Sequence, residues 1–181
     1  MIFVHLADGF EEVEAVTVID LLRRASLDVM SVSIMGRKEV TGAHGIIIEA
    51  DSLFEDVNYD DCEMMVLPGG AEGAKNLDEY DGVTVHLTSF KKNKKWIAAI
   101  CAAPMILGHH DIFDGEKATI YKGMEPELKN AVYVDDKVVI DGNIITSQGP
   151  ATAMDFGLAL ISVLKGKDKA AEIAEGLLWK K

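Results

Sequence analysis

The sequence predicts an α/β three-layer sandwich with a mostly parallel central sheet. Short apolar runs alternate with longer amphipathic stretches along the whole chain, and strands that alternate with helices pair in parallel through crossovers. One tight hairpin signal, Asp141-Gly142-Asn143, interrupts that rhythm. With 181 residues and no repeat, low-complexity segment or linker, the chain reads as one domain over residues 1–181. A chain of this size buries roughly 70% of the surface its unfolded form exposes, so it can build a core without staples.

In order along the chain, residues 2–6 are an apolar run that ends before Asp8 and read as a strand. Residues 11–25 have helical periodicity, which puts Val13, Val16, Ile19 and Leu22 on one apolar face. Residues 29–34 are a second strand, and residues 64–67 a third, stopped by Pro68-Gly69-Gly70. A helix over 80–92 leads to a fourth strand at 96–100. Cys101 follows directly, then a helix over 102–109 and a strand over 118–121. The hairpin pairs 138–140 with 144–146. Pro150 stands where a helix to about residue 164 begins, and 169–179 is the last helix. Open α/β sheets place their sites at the carboxyl ends of strands, near the point where strand order reverses. Three loops qualify: residues 7–10, residues 68–73 and Cys101. In a flavodoxin-like strand order they converge.

Composition excludes several classes of function. Thirty acidic and 18 basic residues give a net charge of −12, which disfavours nucleic acid or anionic membrane as a partner. Two cysteines, Cys62 and Cys101, do not make a disulfide scaffold or suggest a structural metal site. Acidic residues within the first dozen positions do not fit a signal peptide, and the longest apolar stretch, residues 97–107, is too short to span a bilayer. A reduced, cytoplasmic protein is the expectation.

Cys101 carries the first chemical signal. At a strand-to-helix junction a thiol meets the positive end of a helix dipole, which favours thiolate, and Ala99, Ala102 and Ala103 leave room for a nucleophile elbow. Position alone equally allows a small buried hydrophobe. Cys62, among Asp60, Asp61 and Glu63, sits in a field that opposes ionisation and reads as structural. Glu14 has apolar neighbours at helical spacing in Val18 and Leu21. It is either a carboxyl with a raised pKa, able to donate to a thiolate and move protons, or a solvated helix-edge acid. Glu11 and Glu12 read as first-turn acids that complement the dipole. Residues 68–73 could present free amides as an oxyanion hole or be a plain glycine turn; Glu72 and the missing Gly-Lys-Ser/Thr rule out a phosphate loop. His109-His110-Asp111 is disfavoured as a chelate, because adjacent helical histidines point apart, and reads as cation placement at a helix end. Lys91, Lys92, Lys94 and Lys95 read as a solvated face.

Four segments together resemble the ThiJ/PfpI superfamily, on its Parkinson-disease protein deglycase-like branch. They are Ala7-Asp8-Gly9-Phe10-Glu11-Glu12-Val13-Glu14, Leu67-Pro68-Gly69-Gly70, Ala98-Ala99-Ile100-Cys101-Ala102-Ala103-Pro104 and Thr146-Ser147-Gln148-Gly149-Pro150. The resemblance covers nearly the whole chain. It implies a flavodoxin-like fold and a homodimer. It makes Cys101 the reactive elbow cysteine and Glu14 the protonated carboxyl touching its sulfur. Gly70 and Ala102 become oxyanion-hole donors. Tyr121 stands where relatives with glyoxalase activity often carry histidine, and His44 where some carry an arginine near the sulfur; both are possible site-lining residues. Peptidase relatives have histidine after the cysteine; here Ala102 follows, which disfavours that activity. The implied chemistry is cysteine-dependent conversion of reactive dicarbonyls, as a glyoxalase or protein deglycase, with no metal or other cofactor. Substrates would be a small dicarbonyl or glycated amines. A redox sensor or chaperone using Cys101 oxidation is the alternative. A role in thiazole monophosphate biosynthesis, attached to some relatives by name, finds no phosphate cradle here, and flavin is disfavoured by the acidic first loop.

Overall fold

The computed structural model describes residues 1–180. Its centre is a seven-stranded sheet of order β10-β11-β7-β6-β1-β2-β5. β1 (Ile2–Leu6) leads through helix α1 (Glu12–Arg24) to β2 (Val29–Ser33). A small antiparallel hairpin, β3 (Glu39–Thr41) and β4 (Ile47–Glu49), precedes the short edge strand β5 (Ser52–Leu53). β6 (Met64–Leu67) feeds helices α2 (Ala71–Asp78) and α3 (Asp81–Asn93), and β7 (Trp96–Ile100) feeds the short helix α4 (Pro104–His109). β8 (Lys117–Ala118) and β9 (Val132–Tyr133) form a separate two-stranded parallel pair. β10 (Val138–Asp141) and β11 (Ile144–Ser147) make the hairpin, and α5 (Ala153–Lys165) and α6 (Lys167–Gly176) close the chain. Within the large sheet only the β10–β11 pairing is antiparallel. The architecture is flavodoxin-like, with order reversing across the neighbours β1 and β6.

Alternation along the strands builds the two cores. Ile2, Val4 and Leu6 of β1 pack with Val18, Leu21, Leu22, Phe156 and Leu160 of α1 and α5. Phe3 and Ala7 face the other way, with Leu77, Val83, Leu87 and Leu107 of α2, α3 and α4. Both sheet faces are covered, so the central strands read as continuous apolar runs instead of alternating ones.

Several expectations need correction. On α1 the buried set is Glu12, Glu14, Ala15, Val18, Leu21 and Leu22, while Val13 and Val16 are exposed. The apolar stripe was misplaced because the helix carries more apolar residues than one face holds. The strand expected over 118–121 shrinks to Lys117–Ala118, and Tyr121 lies beyond it. Residues 101–103 form a turn before Pro104 opens α4. Pro150 begins a 3-10 turn, Pro150–Thr152, before α5. The loop expected over 68–73 gives way at Ala71 to helix α2, Ala71–Asp78, whose periodicity is masked by Gly73 and Glu72. Among the described residues, no helix is long and apolar enough to cross a membrane.

His5, fully buried on β1, introduces a pH dependence into the fold. Its Nε2 lies 2.7 Å from the Tyr59 hydroxyl, and its Nδ1 is buried without a partner. Burial pushes its pKa from 6.5 down to about 4. For a base held neutral, stability is fully present above the unfolded value of 6.5 and is lost as pH falls through 6.5 toward 4. That gap corresponds to about 3 kcal/mol. Urea unfolding at pH 7 and pH 4 is expected to show a smaller acid loss in His5→Phe than in the parent protein; equal losses would remove His5 from the account.

Candidate active site

The loops at the carboxyl ends of β1, β6 and β7 meet at Cys101. Register places Leu67 of β6 opposite Ala99 of β7, and Ser147 of β11 opposite Ile100, so Cys101 emerges where the central strands end together. Its backbone sits at φ 64°, in the left-handed region, which costs on the order of 1 kcal/mol or more for a non-glycine residue. Two backbone hydrogen bonds hold that conformation. The Cys101 amide donates to the Ser147 carbonyl (3.0 Å), and its carbonyl accepts from the Tyr121 amide (2.9 Å). The turn aims the side chain into the junction, the geometry of a nucleophile elbow. Gly70, at φ 87°, caps α2, and a Cβ there would collide with the carbonyl oxygen of Gly9. Only glycine lets this loop lie against the first one, where Glu11 and Gly73 amides complete the cross-links to Gly69 and Gly9 carbonyls. As a result the amides of Gly70 and Ala102 both reach the Cys101 sulfur.

Glu14 is fully buried on α1, beneath the same junction. Its Oε2 accepts from the Gly69 amide at 2.7 Å, while Oε1 is buried with no hydrogen-bond partner of its own. The carboxyl couples to the Cys101 thiol. Burial pushes Glu14 up to about 7, against the opposing pull of the thiol and the Gly69 amide. Since Oε2 is taken by an N–H, a proton on Glu14 belongs on Oε1. The expected lowering of the Cys101 pKa is not found. Burial, then the charge of Glu14, pushes the thiol up to about 12, and the amides of Gly70 and Ala102 only partly offset this. Helix α4, starting three residues later, is too short and too far on to reverse that balance. The two groups titrate as a coupled pair, and burial places the shared proton on the sulfur. Transfer of that proton to Glu14 gives the thiolate with no change in net charge, at a cost set by the gap between the two groups.

The other singled-out residues fall elsewhere. Cys62 is buried, donates to the Met64 carbonyl, and is pushed up to about 11 by burial, not by its acidic neighbours. His44 is exposed on the β3–β4 hairpin and bound by Glu12: Glu12 Oε2 faces its Nδ1 at 2.8 Å and Oε1 accepts from its amide at 2.7 Å. Hydrogen bonding to Glu12 raises its pKa. Glu12 is therefore a buried hairpin anchor, not a simple first-turn acid. Glu11, Glu12 and His44 also present ligand atoms within 4.8 Å of one another, but the Glu12 oxygens are committed to the hairpin. Tyr121 joins the site only through its backbone; its ring lies against Gly149 and lines a groove of about 600 Å³ with Tyr133 and Gln148 that does not include Cys101. Sequence reasoning missed the Gly69 amide and the Ser147 carbonyl, because backbone groups leave no residue-type signal.

Comparison with known proteins gives the family of the chain. Residues 1–163 match the DJ-1/PfpI family. The chain belongs to that family. It is 41% identical over 177 residues to Protein dj-1beta of Drosophila melanogaster, spanning 97% of this chain and 95% of the relative. It is 35% identical over 181 residues to the Parkinson disease protein 7 homolog of Danio rerio, at 98% and 96% coverage. A structure of oxidized Toxoplasma gondii DJ-1 superposes with a TM-score of 0.95 at 35% identity, covering 99% of this chain and 98% of that one. The DJ-1/PfpI membership agrees with the superfamily and the flavodoxin-like sheet expected from the four sequence segments.

Proposed function

We propose that this DJ-1/PfpI family member converts reactive dicarbonyls such as methylglyoxal to 2-hydroxy acids, using Cys101 as nucleophile. The observation that carries the reading is the buried Cys101–Glu14 pair with two backbone amides on the sulfur. Sulfur attacks the aldehyde carbon, a C–S bond forms, and the carbonyl electron pair moves to oxygen, where the amides of Gly70 and Ala102 stabilise it. Glu14 delivers its proton to that oxygen, giving a hemithioacetal. As carboxylate it then takes the proton from the former aldehyde carbon and returns it to the neighbouring carbon, while the hemithioacetal hydroxyl proton passes to the neighbouring carbonyl oxygen, leaving a 2-hydroxy thioester. Water hydrolyses the thioester, releasing lactate and restoring the pair. No external oxidant or reductant is needed, because one carbon is oxidised as its neighbour is reduced. The same hemithioacetal step would serve release of early glycation adducts from amines.

Purified protein incubated with methylglyoxal is expected to form lactate, and Cys101→Ala to form none; an inactive parent or an active variant would overturn the reading. A second reading draws on the same pair: a protonated Glu14 beside the sulfur can donate to a sulfinate oxygen, which favours Cys101 as a peroxide sensor. A parent protein without lactate formation that accumulates sulfinate at Cys101 would select it. Both readings require a reduced thiol, as the cytoplasm provides.

We further propose a C2 homodimer. Val13 and Val16 of α1 and Ile46 and Ile47 of the hairpin are exposed, and the Glu12–His44 contacts bind these two elements together. Light scattering at micromolar concentration is expected to give twice the chain mass, and Val16→Glu to give the monomer.

A further inference from the structure

The histidine pair at the end of α4 does more than place charge at a helix terminus. His109 Nδ1 lies 2.8 Å from Asp78 Oδ2, and its Nε2 lies 2.9 Å from Glu127 Oε2. An ionised carboxylate only accepts hydrogen bonds, so both ring nitrogens must carry hydrogen, which makes His109 an imidazolium. The adjacent His110 reaches the same acid: its Nε2 is 2.9 Å from Asp78 Oδ1 and 3.1 Å from the Asp78 carbonyl. His109 ends α4 and His110 lies just past it, out of helical geometry, so the two converge on one residue instead of pointing apart. The three partners belong to three segments. Asp78 ends α2, His109 ends α4, and Glu127 ends the 3-10 turn Glu125–Glu127, in the stretch that follows Tyr121. α4 lies so close to that turn that a Cβ on Gly108 would collide with the Glu127 carbonyl oxygen.

Both helices start at the site. α2 begins at Gly70 and α4 just past Ala102, the residues whose amides reach the sulfur. At 1.5 Å per residue their far ends lie about 9–12 Å from those amides, within one rigid turn-and-helix unit each. We propose that His109 is a pH-operated tie that joins the far ends of α2 and α4 and so sets the spacing of the Gly70 and Ala102 amides at Cys101. Its consequence for turnover rests on the dicarbonyl reading above. Protonated, His109 donates to both acids. On losing one proton it can donate to only one, and the other carboxylate then faces a ring lone pair, so one of the two links opens. Hydrogen bonding to Glu127, then to Asp78, raises the pKa of His109, while burial and, less, Lys129 oppose them. The tie is therefore closed on the acid side of this raised pKa and opens as pH rises through it.

Two measurements test it without methylglyoxal. Nitrogen-15 spectra of the imidazoles are expected to show both His109 nitrogens protonated at about pH 6, with titration above the free value of about 6.5. Glu127→Gln and Asp78→Asn are each expected to move that titration to lower pH. The rate of Cys101 alkylation by iodoacetamide, compared between the parent and His109→Gln, is expected to differ by about fivefold or more at low pH and to converge above the His109 titration. Circular dichroism confirms that the variant is folded; should it not fold, Glu127→Gln takes its place, its rate converging with the parent's above the parent's His109 titration. A singly protonated His109 at pH 6, or a rate ratio constant across the range, overturns the tie. Lack of lactate formation by the parent overturns the dicarbonyl reading alone, whereas a constant ratio in a protein that forms lactate overturns the tie alone.

Discussion

Glu14→Gln is expected to reduce lactate formation by about 10²–10⁴-fold and to erase a step near pH 7 in the alkylation of Cys101. The amide has nearly the size of the carboxyl and its oxygen can still accept from Gly69, so the fold and the elbow persist. What disappears is the proton shared with the sulfur. In the parent protein the pair loses its first proton as Glu14 titrates at about 7. Above that pH one proton is distributed between carboxyl and sulfur, and the thiolate fraction stays level until the second proton leaves at far higher pH. Alkylation should therefore rise through about pH 7 and then flatten. With glutamine in place, Cys101 titrates alone, opposed by burial and aided by two amides, and the rate should climb without a plateau. A step near 7 that survives in Glu14→Gln would assign it to another group, His44 being a candidate because Glu12 raises its pKa.

Gly70→Ala is expected to cut Cys101-dependent turnover by about 10²–10³-fold, the usual loss when one oxyanion donor is displaced. The methyl group cannot be accommodated by a side-chain shift. It meets backbone: the carbonyl of Gly9 and the peptide joining Phe10 to Glu11. The residue also sits at φ 87°, where an L side chain is strained. Relief requires the β6–α2 turn to move away from the first loop, and its amide leaves the sulfur with it. The hydrogen bond from the Glu11 amide to the Gly69 carbonyl should weaken at the same time. Steady-state kinetics with methylglyoxal, and alkylation of Cys101 as an independent check, would show whether the amide position matters. Rates within about twofold of the parent would mean that Gly70 only shapes the turn and stabilises no developing charge.

Much of this protein is legible in its sequence, for reasons that are local. The strands at 2–6, 64–67 and 96–100 are recovered at those boundaries, because strands buried on both faces are short apolar runs cut off by polar residues or glycine. The hairpin around Asp141-Gly142-Asn143 follows from its turn residues. Cys101 and Glu14 stand out as a small nucleophile at a strand end and an acid among apolar neighbours. Tertiary structure alone decided how they work. The partner that orients Glu14 is a backbone amide 55 positions away, and the atoms that hold the Cys101 turn belong to Ser147 and Tyr121. Which face of α1 is buried depended on where the sheet and α5 lie, so Val13 and Val16, apolar by type, ended outside. The same holds for His44, drawn to Glu12, and for His109, legible in sequence only as charge at a helix end, which joins Asp78 and Glu127 in one network only when α2, α4 and the turn before β9 fold together. Local sequence sets which backbone states and burial are favourable. It carries no information on which distant polar groups meet, because that depends on the packing of whole elements.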